Sequence, residues 1–436
     1  MRAALADINA PRLKRDNRRI DLDIPPLLAA AARTFPGRLA VEGLDLLNGL
    51  RAPVDAAFDL SQLRERARKL AHLLTRLRLP PGAPVAVILP NCPEAMIALH
   101  GILVAGYSPL FLPVTLSDDD VRIALERNAV PALITVTHVG SLHPAETMRG
   151  VAARYFGLRF LMAFGDAPPD GVLSLDHLPD APETLNERSL DAAHVMTFDA
   201  NTKECIVRTG EDLIASALSI AATAAIKPGH RIINLLAPDD LIGLVTGPVL
   251  SLVAGATLQT LAQFNSDYLI AALEDKQRVH IIAPAWLEPA LVASDLMALP
   301  WVVSIMFVHN TPWKWQPRSE YDPSRVYNTK IIDLLNVADE AIFVAPRIET
   351  VNGGWPIDQV VPKLSTGVML VNARTINGRL EIRGRGAVLK RMRGFSPTEV
   401  WSRDPMEWRS TSVYAHVLDG YISQLEITKA RSPEGS

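Results

Sequence analysis

Between Asp59 and Leu79 the apolar side chains Leu63, Ala67, Leu70, Leu74 and Leu77 return every three or four positions, the spacing of an amphipathic helix. Asp59 and Gln62 stand three residues apart, as in a capping box. Pro80, Pro81 and Gly82 end the pattern, and the short apolar run Val85–Leu89 predicts a buried strand. A helix over Glu94–Ala105 stops at Gly106, where a left-handed residue would close it. Strand Leu110–Val114, a helix capped by Ser117 and running to Arg127, and strand Ala132–Val136 follow, with a further strand at Phe160–Phe164. Strands alternating with helices at this spacing predict parallel strands joined by right-handed crossovers.

After a segment rich in Pro, Asp and Gly, 165–188, the alternation returns. His194–Phe198 and Cys205–Arg208 read as strands, Glu211–Ala225 as a helix, and Arg231–Leu236 as a strand. Helix Leu241–Val253, strand Ala256–Leu258, helix Asp267–Lys276 and strands Val279–Ala283 and Val302–Val308 complete this part. From about Val361 the period shortens to two around Leu380, Ile382 and Val388, which predicts a small β-rich unit. The fold class expected is therefore α/β: two doubly wound α/β subdomains, residues 21–188 and 189–355, and a small β-rich subdomain, 356–436, preceded by a basic arm, 1–20.

A chain of 436 residues exceeds what one core organises, and 48% hydrophobic with 21% charged residues is ordinary for a globular protein. A net charge of −3 gives no general attraction to nucleic acid or an acidic membrane. Residues Leu241–Ser266 carry no charge, but Gly243, Gly247, Pro248 and Gly255 break them, so a buried helix, turn and strand are expected rather than a membrane span. Cys92 and Cys205 cannot build a disulfide framework or a four-cysteine zinc site, and no secretory signal follows the basic arm, so a cytoplasmic protein is expected.

Several words in this order resemble one family. An LxxxAxxLAxxL helix, a Pro-Gly turn, VAVILPN, Pro93-Glu94 and AGYSPLFLP succeed one another within Leu63–Val136. Further on stand GRLEIRGRGAVLKRMRG at Gly378–Gly394, then Trp408 to Thr411 and Asp419-Gly420-Tyr421. Together these resemble the large N-terminal domain of the adenylate-forming superfamily, which holds acyl-CoA synthetases, peptide-synthetase adenylation domains and luciferases. In that family a loop TSGTTGxPKG binds ATP, its glycines letting backbone N–H groups approach the phosphates. The matching stretch from Thr197 reads TFDANTKECI, without a glycine, with Asp199 and Glu204 in place of uncharged residues and Cys205 at the lysine position.

The resemblance places the family's magnesium-binding acid at Asp339 or Glu340 and its ribose-binding aspartate at Val413, which cannot accept a hydrogen bond. It implies that Thr197, Asn201, Thr202 and Lys203 are a degenerate nucleotide loop, and the family's C-terminal lid domain is expected to be absent. It also implies an acyl pocket with Leu236, Leu241, Val245, Val308, His309 and Asn310 among its walls. The expectation is a homologue that has lost ATP-dependent ligation, needs no cofactor or metal, and binds an acyl or aryl ligand, or an acyl carrier protein or pathway enzyme, with a homodimer as one assembly. The alternative is an active AMP-forming ligase using ATP and magnesium, completed by another chain.

Other constellations are weaker. His194, His230, His280 and His309 lie near strand ends without the close-spaced partners of a zinc site, so structural roles are expected. Trp313-Lys314-Trp315 reads as a surface loop with partly buried rings or as a ligand surface. Arg379, Arg383, Arg385, Lys390, Arg391 and Arg393 alternate with apolar residues and read as a solvated basic strand face or a site for an acidic carrier.

Overall fold

A computed structural model describes residues 23–44, 57–182, 193–315, 328–347, 355–356, 370–387, 390–395, 404 and 407–427. The basic arm lies outside the described residues. The capping box expected at Asp59 is present: the Asp59 carboxylate accepts from Gln62 N at 2.8 Å and the Gln62 amide oxygen from Asp59 N at 2.9 Å. It opens helix Leu60–Arg76, whose buried stripe Leu63, Ala67, Leu70 and Leu74 faces helix Pro93–Val104. Gly101 lets the two helices touch, since a Cβ there would lie 2.8 Å from Leu70. Gly106 adopts φ 76° immediately after, as the sequence predicts.

Among the described residues, two eight-stranded sheets and one antiparallel sheet carry the fold. In the first, Val195–Asp199, Ser108–Phe111, Pro84–Val87, Ala132–Val136 and Phe160–Phe164 run parallel in that spatial order. In the second, Lys330–Val337, Val302–Asn310, Val279–Pro284, Arg231–Asn234, Thr257–Thr260 and Leu39–Gly43 do the same. Ala341–Pro346 and Ala57–Asp59 close its two edges antiparallel. The third sheet holds Asn372–Ile376, Arg379–Arg383, Arg409–Leu418, Tyr421–Ile427 and Trp313–Lys314. One core cluster draws Val85, Ile134 and Met162 from the first sheet, Ile232, Ile282 and Met306 from the second, and Leu70, Leu99 and Ile220 from helices packed on them. Separate clusters cover the opposite faces, which is why these strands read as continuous apolar runs.

The sheets divide the chain differently from its linear pattern. Val195–Asp199 and Glu204–Arg208, placed by sequence in the second unit, belong to the first sheet, where Met196 and Thr197 pair with Leu110 and Phe111. Leu39–Gly43, placed in the first unit, pairs with Thr257–Thr260 of the second sheet. Linear order reveals which segments are strands but not which distant edge each one joins. The uncharged stretch from Leu241 is a helix broken by a π-helical turn over Val245–Val249, where Pro248 has no N–H to continue the ladder. Among the described residues, no helix is long and apolar enough to cross a membrane.

Candidate functional site

The stretch at Thr197 is a β-hairpin folded tightly upon itself. Strands Val195–Asp199 and Glu204–Arg208 pair from Val195 with Arg208 to Asp199 with Glu204, leaving four loop residues. The Asp199 carboxylate accepts from Asn201 N at 2.8 Å and Thr202 N at 3.4 Å, an Asx-turn built from the chain's own anion. Lys203 closes the turn with φ 57°, its N–H donating to the Asp199 carbonyl at 2.8 Å. Its ammonium is engaged by Asp120, and Arg127 Nη1 donates to the Lys203 carbonyl at 2.7 Å. Cys205, at the lysine position of the resembled loop, is fully buried, and burial pushes its thiol up to about 12.

Two arginines hold this hairpin to the turn 338–340, where the second sheet reverses. Arg208 projects from the first sheet and is 1% exposed; its Nη2 reaches the Asp339 carboxylate at 2.9 Å and also meets the Asp339 carbonyl. Its Nη1 donates to Thr197 Oγ1 at 2.9 Å, and Thr197 Oγ1 donates to Asp339 Oδ2 at 2.5 Å. The other carboxylate oxygen of Asp339 accepts from Leu241 N at 2.7 Å and more distantly from the Asn336 amide, 3.5 Å. Arg391, on the short strand Lys390–Met392 beside Glu204–Arg208, donates to Glu340 Oε1 at 2.8 Å and Asp199 Oδ2 at 3.0 Å. Glu340 Oε1 also accepts from Ser412 N at 3.1 Å and Ser412 Oγ at 2.6 Å, so the third sheet joins the same network.

The charges within this network set its proton affinities. Asp199 is held below the usual carboxylate range: burial opposes ionisation, but Arg391 and the loop N–H groups outweigh it. Next to Leu241, Asp239 and Asp240 behave oppositely. Burial raises Asp239 to about 6, and burial followed by the neighbouring charges of Asp339 and Asp239 raises Asp240 well above its ordinary value. Asp240 caps its short helix by accepting from Gly243 N at 2.7 Å. Val413, at the expected ribose-acceptor position, is fully buried in the core of the third sheet.

The residues expected to wall a pocket lie along the segment 236–245 and at the end of strand Val302–Asn310. Leu241, Val245 and Val308 are buried in the core shared by the two large sheets, Leu236 is half-buried, and Asn310 is exposed at a strand end. His309 Nε2 stands 3.1 Å from Asp333, which also takes Arg347 Nη2 at 2.9 Å, and the His309 ring lies edge-on to Trp313. His230 and His280 are hydrogen-bonded to one another at 2.9 Å, and His280 to Ser304 at 2.8 Å. Trp313 is core, packed edge-on against Trp355, which resolves the surface-loop expectation toward burial. The cationic run singled out in the sequence is largely engaged: Arg383 stacks on Trp408, Arg385 meets Glu211, and Arg391 is in the network above.

The sequence brought forward Thr197, Asp199, Asp339 and Glu340, and the structure holds them in two adjacent sets, Thr197 with Asp339 on Arg208 and Asp199 with Glu340 on Arg391. It gave no role to Arg208, Asp239 or Asp240, and left Arg391 in a run read as a solvated basic face or a site for an acidic carrier. The available signal was Arg208 itself, which shares a strand face with Ile206 in an otherwise apolar run and so required a buried acid.

A family model described as AMP-binding enzyme matches residues 28–297. Phosphinothricin tripeptide synthetase PhsC of Streptomyces viridochromogenes is 26% identical over 254 residues, 58% of this chain and 21% of that protein. Enterobactin synthase component F of Escherichia coli is 38% identical over 80 residues, 18% of this chain and 6% of that protein. The chain therefore spans a small part of the length of these relatives. The structure of MbtA from Mycobacterium smegmatis superposes with a TM-score of 0.66 at 18% identity, covering 94% of this chain and 76% of that one, a likeness of fold.

Proposed function

The chain belongs to the AMP-binding enzyme family, and from that premise we propose that it no longer carries out ATP-dependent ligation and instead binds an acyl or aryl ligand, or a carrier protein or pathway enzyme. One observation carries this reading: the backbone N–H groups of Asn201 and Thr202, which a phosphate loop would offer to its nucleotide, are taken by the Asp199 carboxylate. An incoming phosphate would have to displace that carboxylate and approach it within a few Å, where like charges repel by roughly 4 kcal/mol at an effective dielectric near 20. Asp339 and Glu340 are likewise occupied by Arg208 and Arg391. These residues do not fit a magnesium-bound triphosphate.

On this reading the family frame serves recognition in the cytoplasm, with Leu236, Leu241, Val245, Val308, His309 and Asn310 near the acyl ligand. The second reading, a working AMP-forming ligase using ATP and magnesium, draws on the contact between Thr197 and Asp339 at 2.5 Å. Titration calorimetry with magnesium-ATP separates the two. No heat of binding together with no pyrophosphate release across a panel of carboxylic acids is expected. Saturable micromolar ATP binding, or turnover of any acid in the panel, would overturn the first reading. Native mass spectrometry after incubation with lipid extract then identifies the retained ligand.

A further inference from the structure

The third sheet turns one face to the core and the other to solvent. Leu380, Ile382, Val413, Ala415, Ile422 and Leu425 belong to its core cluster. The alternate positions Ile376, Arg379, Tyr414, His416 and Glu426 are exposed, as the two-residue period of a strand requires. Cross-strand register puts Ile376 opposite Arg379, Arg379 opposite Tyr414, and Tyr414 opposite Glu426, a single row across four strands. Nearer the end of the same hairpin Leu418, 67% exposed, stands opposite Tyr421. The Tyr414 ring is 40% exposed and lies over the bare turn at Gly378, where a Cβ would be 3.6 Å from Tyr414 Cδ1. The middle of the solvent face is thus apolar, and apolar side chains gathered on one face mark an interaction surface.

The charges on this face point to its occupant. Arg374 pairs with Glu381 at 2.7 Å, Arg383 stacks on Trp408, and Lys314 stands at the far margin, opposite Gln424. Arg379 and Glu426 flank Tyr414, one strand away on either side and so about 10 Å apart, too far to pair with each other. Arg379 Nε donates to the Thr411 carbonyl at 3.1 Å. Glu426 accepts from the Gln424 amide at 2.5 Å, and His416 Nε2 is 3.9 Å from it. A half-turn about an axis along the central strand Arg409–Leu418 exchanges the two flanks. Tyr414 then meets Tyr414, and Arg379 of each copy meets Glu426 of the other. The row is its own complement in charge and in apolar character, a match that an unrelated partner would have to reproduce residue by residue.

We propose that this face docks on the same face of a second copy of the chain, with Tyr414 and Leu418 at the centre and two Arg379–Glu426 pairs at the sides. A face of about 20 by 15 Å covers less than the roughly 800 Å² per partner of a standard interface, so the dimer is a weak one. Sedimentation velocity of the full chain from about 1 to about 200 µM should show monomer giving way to dimer within that range. Arg379→Glu alone, or Glu426→Arg alone, sets like charges opposite each other twice and should weaken the dimer at least about tenfold. Mixed in equal amounts, these two variants regain both pairs and should associate as the parent does, and Tyr414→Ser should weaken the parent dimer. A monomer throughout the range, a dimer indifferent to either charge reversal, or variants that fail to associate when mixed would overturn the proposal.

Discussion

Arg208 and Asp339 meet at 2.9 Å although they come from different sheets, and the arginine is 1% exposed. Neither side chain is adequately solvated alone, so each requires the other. Removing one partner of such a pair leaves a buried charge, a loss of about 3–5 kcal/mol. Arg208→Met should lower the unfolding free energy in urea by this order. The double variant Arg208→Met with Asp339→Leu should recover a substantial part, and simple additivity of the two losses would contradict the pairing.

The Asp199 turn makes a second prediction. Asp199→Ala removes the acceptor for two loop N–H groups and one anion from Arg391, with an expected loss of about 2 kcal/mol. Because the folded carboxyl is held below its unfolded value, its contribution is complete above about pH 4 and is lost as pH falls through the folded value. The variant should therefore lose stability less steeply below pH 4 than the parent, as measured by denaturant midpoints.

Buried histidine gives pH dependence at a different place. His280 is fully buried against His230 and Ser304, and burial, then the charges of His230 and Lys330, lower its proton affinity from 6.5 to about 3. Between those values the unfolded chain binds a proton that the folded one refuses, so stability falls with pH by about 1.4 kcal/mol per unit. His280→Gln should flatten urea midpoints measured from pH 6.5 to 4.5. An unchanged slope would show that other groups set it.

Gly101 tests the helix contact. A methyl there would lie 2.8 Å from the Leu70 side chain, and overpacking of this kind costs about 1–3 kcal/mol against a propensity gain of up to about 1 kcal/mol. Gly101→Ala should be net destabilising, and Leu70→Ala in the same chain should couple with it favourably. A stabilising Gly101→Ala would mean that the helices separate without strain.

Much of the frame was legible because it is written locally. The Asp59 and Gln62 cap, the Gly106 stop and the apolar strand runs each follow from a few neighbouring residues. Sheet membership was not, since Leu39–Gly43 finds its neighbour more than two hundred positions on, at Thr257–Thr260. The site was half legible: Thr197 and Asp199 were singled out along a familiar loop, and Asp339 and Glu340 as a remnant acid. The arginines that join them were hidden, because a cation in a strand announces burial only when its acid is known to be opposite. The proposed pocket walls have no signature of their own, as apolar residues at a cavity and in a core have the same pattern.

The strand Lys390–Met392 pairs with Glu204–Arg208 at the border of the first sheet. During synthesis that border emerges from the ribosome long before its neighbour, on the order of ten seconds or more at about 5–20 residues per second. In the interval Glu204–Arg208 offers unmatched backbone groups and Arg208 lacks Asp339, a window in which nascent chains can pair with one another. Truncation between residues 208 and 339 would make that window permanent, so such shortened products should aggregate even where every helix they contain can still form.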